Sequence, residues 1–419
     1  MKSLAITLAL LALAFAATAA PGPRTDINPA LQYFQAFSLA PDLSAADHGY
    51  LFTNEWRGQH LGDRFGRLIS TYDNQFKLLQ RARLARVPCD WGVDFSDGPE
   101  LLLPGLARAK AVAQTARLRV LWHLQHGRQP EAREDLLATF ALAHNLSHDR
   151  ILISALVQIA MENIVASIVA ENFHQLTPAT LQELVGGFDA SPPRGTVAQT
   201  ISTEQAGFHD WYLHQIQDLK SQHPDDDPKA VRLIKDLFSR TFGYSEGGNA
   251  SDLTDRIIAA GGGSSEGVLR LLSESKPLYG ELGRIMALPL HEYEQQIKPF
   301  SAMLEETSNP LVPTLFGALP KCRVKEFAVQ AKLAMVRAAV AYRTKGKAGL
   351  NTVADPFSGE PFAFRLFLLD GVERGFELKS AYAGRGFEEV LIFVTKDGPP
   401  FHVDWTHAGQ PLPNSSPAK

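Results

Sequence analysis

The chain has 419 residues, of which 45% are hydrophobic and 21% charged, and its formal net charge is −4. That composition belongs to a globular protein long enough for more than one hydrophobic core, and it excludes a disordered or fibrous chain. With acids in slight excess there is no global positive field for nucleic acid or anionic lipid.

The chain begins MKSLAITLALLALAFAATAA, in which Lys2 precedes an apolar run from Leu4 to Phe15 and small residues follow at Ala17 and Ala19. This reads as a secretory signal peptide, residues 1–19, cut ahead of Ala20. Its apolar run is shorter than the ~20 residues that cross a bilayer. The expected mature chain is therefore exported, periplasmic or extracellular, with no transmembrane segment. Its expected partner is an envelope protein, a peptide or a small ligand.

From His60 to Ala85, Leu61, Phe65, Leu68, Tyr72, Phe76 and Leu79 recur at helical spacing, which predicts one amphipathic helix with a basic outer face. After Pro88, the segment CDWGVDFSDGPE from Cys89 to Glu100 reads as an ordered loop, because Gly92, Gly98 and Pro99 interrupt any period. A helix from Leu101 to Gln125 ends at Gly127, and another starts near Pro130 with acids in its first turn. So short a turn makes the two antiparallel. The run WHLQHGRQPEAREDLLATFALA resembles the turn and second helix of a tetratricopeptide-type hairpin, although no second copy follows at the ~34-residue period of such arrays.

Asp149 is a suitable N-cap for a third helix, Ile151 to Phe173, which is apolar on nearly all sides except for a stripe of Ser154, Gln158, Glu162 and Asn172. A helix of that kind sits at the centre of a bundle. Thr177-Pro178 starts a fourth helix that is expected to stop at Gly186-Gly187, and Ser191-Pro192-Pro193 marks a break. A helix follows from about Val197 to Ser221, the acidic link Asp225-Asp226-Asp227-Pro228 caps another that ends near Phe242, and a short one lies near Leu253 to Ala260 inside a Gly- and Ser-rich stretch. Prolines at 277, 289, 299, 310, 313 and 320 are expected to divide the next region into short helices. A long helix from Val324 to Thr344 then gives way to PFAFRLFLL, FELKSAY and EEVLIFVT, three strands of which the first two form a hairpin across DGVERG.

The fold class is thus mostly α, built of antiparallel helical hairpins in a bundle or short solenoid, with a small C-terminal α+β module containing a β-hairpin. The expected division is a helical-hairpin domain at 20–190, an irregular helical region at 191–320, a helix-plus-strand module at 321–405 and a loose tail at 406–419. The helix ending AVAYRTKGKAGL, then DPFSGEPFAFR and a hairpin, resembles the ending of the type II secretion pseudopilins at Asp355, Pro356, Gly359, Pro361 and Phe362. The cleavable leader departs from that family, so filament assembly is not implied. The same ending with alanine-rich hairpins also resembles exported bacterial proteins, which implies an address and no activity.

Four carboxylates in the loop, Asp90, Asp94, Asp97 and Glu100, are candidate ligands for a divalent cation, although their spacing does not match an EF-hand. His144 and His148, four apart, are a weak candidate zinc pair. Glu162, set in an apolar helix, is a candidate for acid–base work with Asp90 and Asp94, against the simpler reading of a polar seam paired to another helix. Cys89 and Cys322 are a candidate disulfide, allowed by export and closing a long loop, with two buried thiols as the alternative. The S-x-x-K at Ser273 to Lys276 and the G-x-S-x-G at Gly263 to Gly267 lack the companions and the preceding strand that their chemistry needs. No motif implies a cofactor. The leading expectation is a non-catalytic binding or scaffolding protein of the bacterial envelope, and the alternatives are a metal-assisted envelope hydrolase and a component of a secretion apparatus.

Overall fold

The computed structural model describes residues 26–242, 250–384 and 387–397. The leader and the C-terminal tail lie outside them. The first helices are α1 (Pro29–Ser38), α2 (Ala45–Phe52), α3 (Asp63–Ser70) and α4 (Asp73–Arg83). The single helix expected from His60 to Ala85 is therefore two, broken at Thr71-Tyr72, where the Thr71 hydroxyl turns back to donate to the Leu68 carbonyl. A side-chain bond of that kind competes with the helical ladder.

The hairpin of α5 (Pro104–Gln125) and α6 (Gln129–Leu146) forms as expected, and α7 (Leu152–Glu171) follows it through the middle of the molecule. α7 packs against α5 and α6 on one side and against the long C-terminal helix α16 (Leu319–Leu350) on the other. By length and composition α7 could cross a membrane. Its Ser154, Gln158 and Glu162, however, are fully buried within the protein. α8 (Pro178–Asp189) runs through Gly186-Gly187 instead of ending there, and Gly187 lets its backbone lie against Leu137 of α6.

The next helices are α9 (Val197–Glu204), α10 (Asp210–Gln222), α11 (Asp227–Phe242), α12 (Ala250–Ala260), α13 (Ser265–Met286), α14 (Leu290–Glu306) and α15 (Leu311–Phe316). A π-type turn, Gln205–His209, separates α9 from α10 inside the expected single helix. The prolines divide this region less than expected, since α13 continues through Pro277 and α14 through Pro299. Apolar residues at helical spacing in α13, among them Val268, Leu272, Tyr279, Leu282 and Met286, are all buried, and this burial outweighs the lost backbone bond.

The C-terminal sheet has order β1-β2-β3, all antiparallel, from β1 (Ala363–Leu369), β2 (Val372–Gly384) and β3 (Phe387–Val394). The first hairpin is tighter than the sequence suggests. Asp370 and Gly371 alone make the turn, both at positive φ (52° and 75°), the conformation of a two-residue hairpin loop that suits Asp-Gly. One face of the sheet buries Phe376, Leu378, Leu391 and Phe393 against α7, α8 and α16 in the largest core. A second core joins α1 to α7, a third joins α9, α13, α14 and the start of α16, and a fourth joins α10 to α13.

Asp355, in the turn that follows α16, is 1% exposed. It accepts hydrogen bonds from Phe357 N (3.1 Å), Ser380 Oγ (2.8 Å) and Ala381 N (2.6 Å), which ties the turn to β2. Asp355→Ala leaves those donors buried without an acceptor and is expected to cost about 2–4 kcal/mol in urea unfolding. A change below 0.5 kcal/mol, on the order of an ordinary surface substitution, would show that the tie carries no weight.

Candidate functional site

The stripe on α7 meets its partners in the link between α8 and α9. Arg194 donates from Nε to Glu162 Oε1 (2.8 Å) and from Nη2 to Oε2 (3.0 Å), while Nη1 reaches Glu326 Oε1 on α16 (2.6 Å). Glu326 Oε2 is met by Arg323 Nη1 (2.5 Å) and by the Val197 amide at the start of α9 (3.2 Å). Gln158 bonds both the N–H and the carbonyl of Gly195. Gly195 also donates to Ser147 Oγ, and a Cβ there would lie 2.3 Å from that oxygen, so only glycine fits. Glu162 and Glu326 are both fully buried, and the two acids and two guanidiniums balance. Burial raises the Glu162 carboxyl, but His144 and Arg194 outweigh it and hold the group below the usual carboxylate range.

His144 and Glu162 are therefore neighbours, with His144 Nε2 3.1 Å from Glu162 Oε1 and Nδ1 2.7 Å from the Pro192 carbonyl. Both side chains are nearly or fully buried and engaged with protein groups, which makes this a structural seam and not an open acid–base site. Arg194 and Glu326, which sequence reasoning did not single out, complete it. Arg194 is 32 residues from Glu162 and 132 from Glu326, so no local pattern links them.

The loop carboxylates do not assemble into a metal centre. Asp90 Oδ1 accepts from Gly92 N (2.9 Å) and Asp94 Oδ1 from Ser96 N (2.9 Å), each closing its own turn, and Glu100 is exposed at the far end. His148 sits in the turn Ser147–Asp149, partly exposed, while His144 points into the seam. Among the described residues no three His, Cys, Asp or Glu side chains come together as a metal site. Nor are the cysteines bridged. Cys89 is buried in the core of α1 to α7 and Cys322 in that of α9 to α16. Burial pushes the Cys89 thiol up to about 12, which leaves it unreactive as a nucleophile. Asn145, on α6, is buried and donates to Tyr33 Oη (2.8 Å).

The loop does build a cleft. Asn28 caps α1 and also pins the loop, its side chain bonding both the N–H (3.1 Å) and the carbonyl (2.6 Å) of Asp90. Trp91 then stacks on Tyr33 with ring centroids 5.6 Å apart, takes Phe34 edge-on at 5.3 Å, and donates Nε1–H to the Asn145 carbonyl (2.7 Å). On the other side Trp211 Nε1 donates to the Ser96 carbonyl (2.8 Å) and its ring covers Gly98. Beside Trp91 opens a cavity of about 280 Å³. Phe34, Trp91 and Leu101 to Leu103 supply apolar wall, and Asp94, Asp97 and Asp149 supply the charge. Among the described residues no lysine, arginine or histidine lines it. Asp94 is held below the usual carboxylate range by the Ser96 N–H. Asp149 is the opposite case, pushed up to about 6 by burial despite bonds from Ile151 N (2.9 Å) and Ser154 Oγ (2.7 Å).

Asp149 acts from two residues before the N-cap position, which Ile151 occupies. A second acid helps hold this helix end. Glu204 Oε1 accepts from Leu152 N (3.1 Å), and burial pushes its carboxyl up to about 7.

Two outcomes follow. Arg194→Met leaves two buried carboxylates short of a partner and is expected to cost about 3–5 kcal/mol, most of it recovered when Glu162→Gln and Glu326→Gln are added; failure of the triple variant to recover stability would refute the pairing. Asp149 and Glu204 hold their protons more tightly folded than unfolded, so their stabilising contribution is complete below about pH 4 and is lost as pH rises through about 6 and about 7. The variant Asp149→Asn with Glu204→Gln is expected to match the wild type near pH 4 and exceed it by about 2–4 kcal/mol above pH 7 in urea unfolding. The same difference at both pH values would count against it. No protein-family model, curated protein or solved structure matches this chain.

Proposed function

We propose that the protein is a non-catalytic ligand-binding protein of the bacterial envelope, and that the cleft beside Trp91 takes a small amphipathic cation: an ammonium or guanidinium group on an apolar stem. One observation carries this reading. Three carboxylates stand on an aromatic and aliphatic cavity whose lining, among the described residues, contains no basic side chain. Such a wall attracts a cation by Coulomb interaction and by the ring faces together, while the leucines bury the stem. A free metal ion is a poorer fit, because among the described residues these carboxylates do not come together as a group of three and Asp94 and Asp149 already close their own turns. The address rests on the leader-like residues 1–19.

Asp149 adds a pH dependence. A bound cation favours its ionised form, so the ligand competes with a proton at that carboxylate, and affinity falls as pH drops below about 6. Calorimetric titration of the full chain with phenethylammonium, beside uncharged phenylethanol, tests both points. Phenethylammonium is expected to bind and phenylethanol not. Asp94→Asn with Asp97→Asn is expected to weaken binding about tenfold, the loss of about 1.4 kcal/mol for two rim charges. Equal binding of the alcohol, or affinity unchanged between pH 5 and pH 7.5, would sink the proposal.

A further inference from the structure

The apolar wall of the Trp91 cleft continues past the cleft itself. Phe34 of α1 also lines an open groove of about 620 Å³, which it shares with Leu31, Gln35, Ser38 and Leu39 and with Leu78 of α4. Among the described residues no charged side chain lines this groove. The Ser38 hydroxyl is spent on its own helix, where it donates to the Phe34 carbonyl (3.0 Å). The Phe34 ring, edge-on to Trp91, stands in the wall of both spaces.

Folding of α1 does not call for these apolar residues. The helix is held by its other face, where Ala30, Tyr33, Ala36 and Phe37 are buried in the core of α1 to α7. Leu31 and Phe34 remain 56% and 42% exposed, and Leu39, just past the helix end, 48%. With Leu102 of the cleft, four of the eleven exposed large hydrophobics among the described residues lie in these two linings. Single apolar residues on a surface need no explanation, whereas a patch that continues from a pocket marks a surface kept for an occupant. The distribution of charge states what that occupant is. A molecule lying across Phe34 meets Asp94, Asp97 and Asp149 at one end and uncharged, largely apolar wall at the other.

We propose that cleft and groove together hold a long-chain alkylammonium, its head among the aspartates and its chain passing Phe34 to lie between α1 and Leu78. This rests on the reading of the cleft as a cation site and extends its ligand from a short stem to a long one. The rise from Leu31 to Ser38 along α1 is about 10 Å, a path for several methylenes beyond the cleft.

Calorimetric titration of the full chain with hexyl-, octyl- and decylammonium, each below the concentration at which it forms micelles, tests the assignment beside phenethylammonium and 1-octanol. A fully buried methylene strengthens binding about fourfold, and a groove open on one side is expected to give about twofold per methylene, or about sixteenfold from hexyl to decyl. One ligand per chain is expected. Leu31→Gln with Leu39→Gln changes two exposed residues of the groove that do not line the cleft, and is expected to remove the gain from hexyl to decyl while leaving phenethylammonium binding as in the wild type. Affinity level from hexyl to decyl, a gain that survives the double variant, more than one ligand per chain, or octanol bound as tightly as octylammonium would each overturn the proposal. So would a dimer of the free protein that the double variant dissociates, which would give the groove to a second copy of the chain. Binding of phenethylammonium alone overturns the long-chain assignment and leaves the cleft reading standing, whereas failure of every ammonium refutes both.

Discussion

Arg194 is the residue on which the arrangement of this molecule turns. It sits in the link between α8 and α9 with its guanidinium divided between Glu162 of α7 and Glu326 of α16. Neither acid is exposed, so each needs a cation in place, and removing one member of such a set costs more than the set contributes. The link cannot drift, because Gly195 is held on its other side by Gln158 and Ser147. The Trp91 cleft and a cavity between α9 and α13 both depend on this fixed segment. Glu326 takes the Val197 amide and so sets where α9 begins, which forms one wall of that cavity. Ser147 opens the turn that ends in Asp149, which lines the Trp91 cleft.

The N-terminus of α7 is where the two halves of that arrangement meet. Its first amides are met by Asp149 from the cleft side and by Glu204 from the last turn of α9. A helix N-terminus favours a carboxylate, yet both acids are pushed up and not down. Desolvation is the larger effect at each. Charge at this helix end is therefore held back by burial, and any group that compensates it would draw the acids toward ionisation.

Much of the fold is legible in the sequence because its signals are local. The α5–α6 hairpin follows from Gly127 and Pro130, and the three strands follow from a change of period after α16. The α7 stripe of Ser154, Gln158 and Glu162 could be read as a polar seam, but its partner could not. Arg194 stands between Pro193 and Gly195 in what reads as an ordinary break, and only the tertiary fold reveals the pairing. The two unexpected breaks, at Thr71-Tyr72 and at Gln205–His209, carry no proline, while the prolines that should have broken α13 and α14 did not. Burial outweighs local preference in α13 and α14, whereas a local side-chain bond from Thr71 accompanies the break there. In the loop Cys89 to Glu100, the candidate carboxylates were visible, but what they do was not. Asp149, 49 residues beyond Glu100, and the aromatic floor that Tyr33 and Phe34 give to Trp91 convert a set of turn-closing acids into a wall.

The two cavities differ in the charge of their linings. Among the described residues the Trp91 cleft is lined by three acids and no base, and the cavity between α9 and α13 by one base, Arg323, and no acid. Arg323 brings no spare charge to its cavity, because Glu326 accepts from it and the acids and guanidiniums of the ion network balance. Between them stand Asp149 and Glu204 on the same helix end. Burial is the cause that pushes each carboxyl up, so each acid answers to what desolvates it on its own side of the helix end.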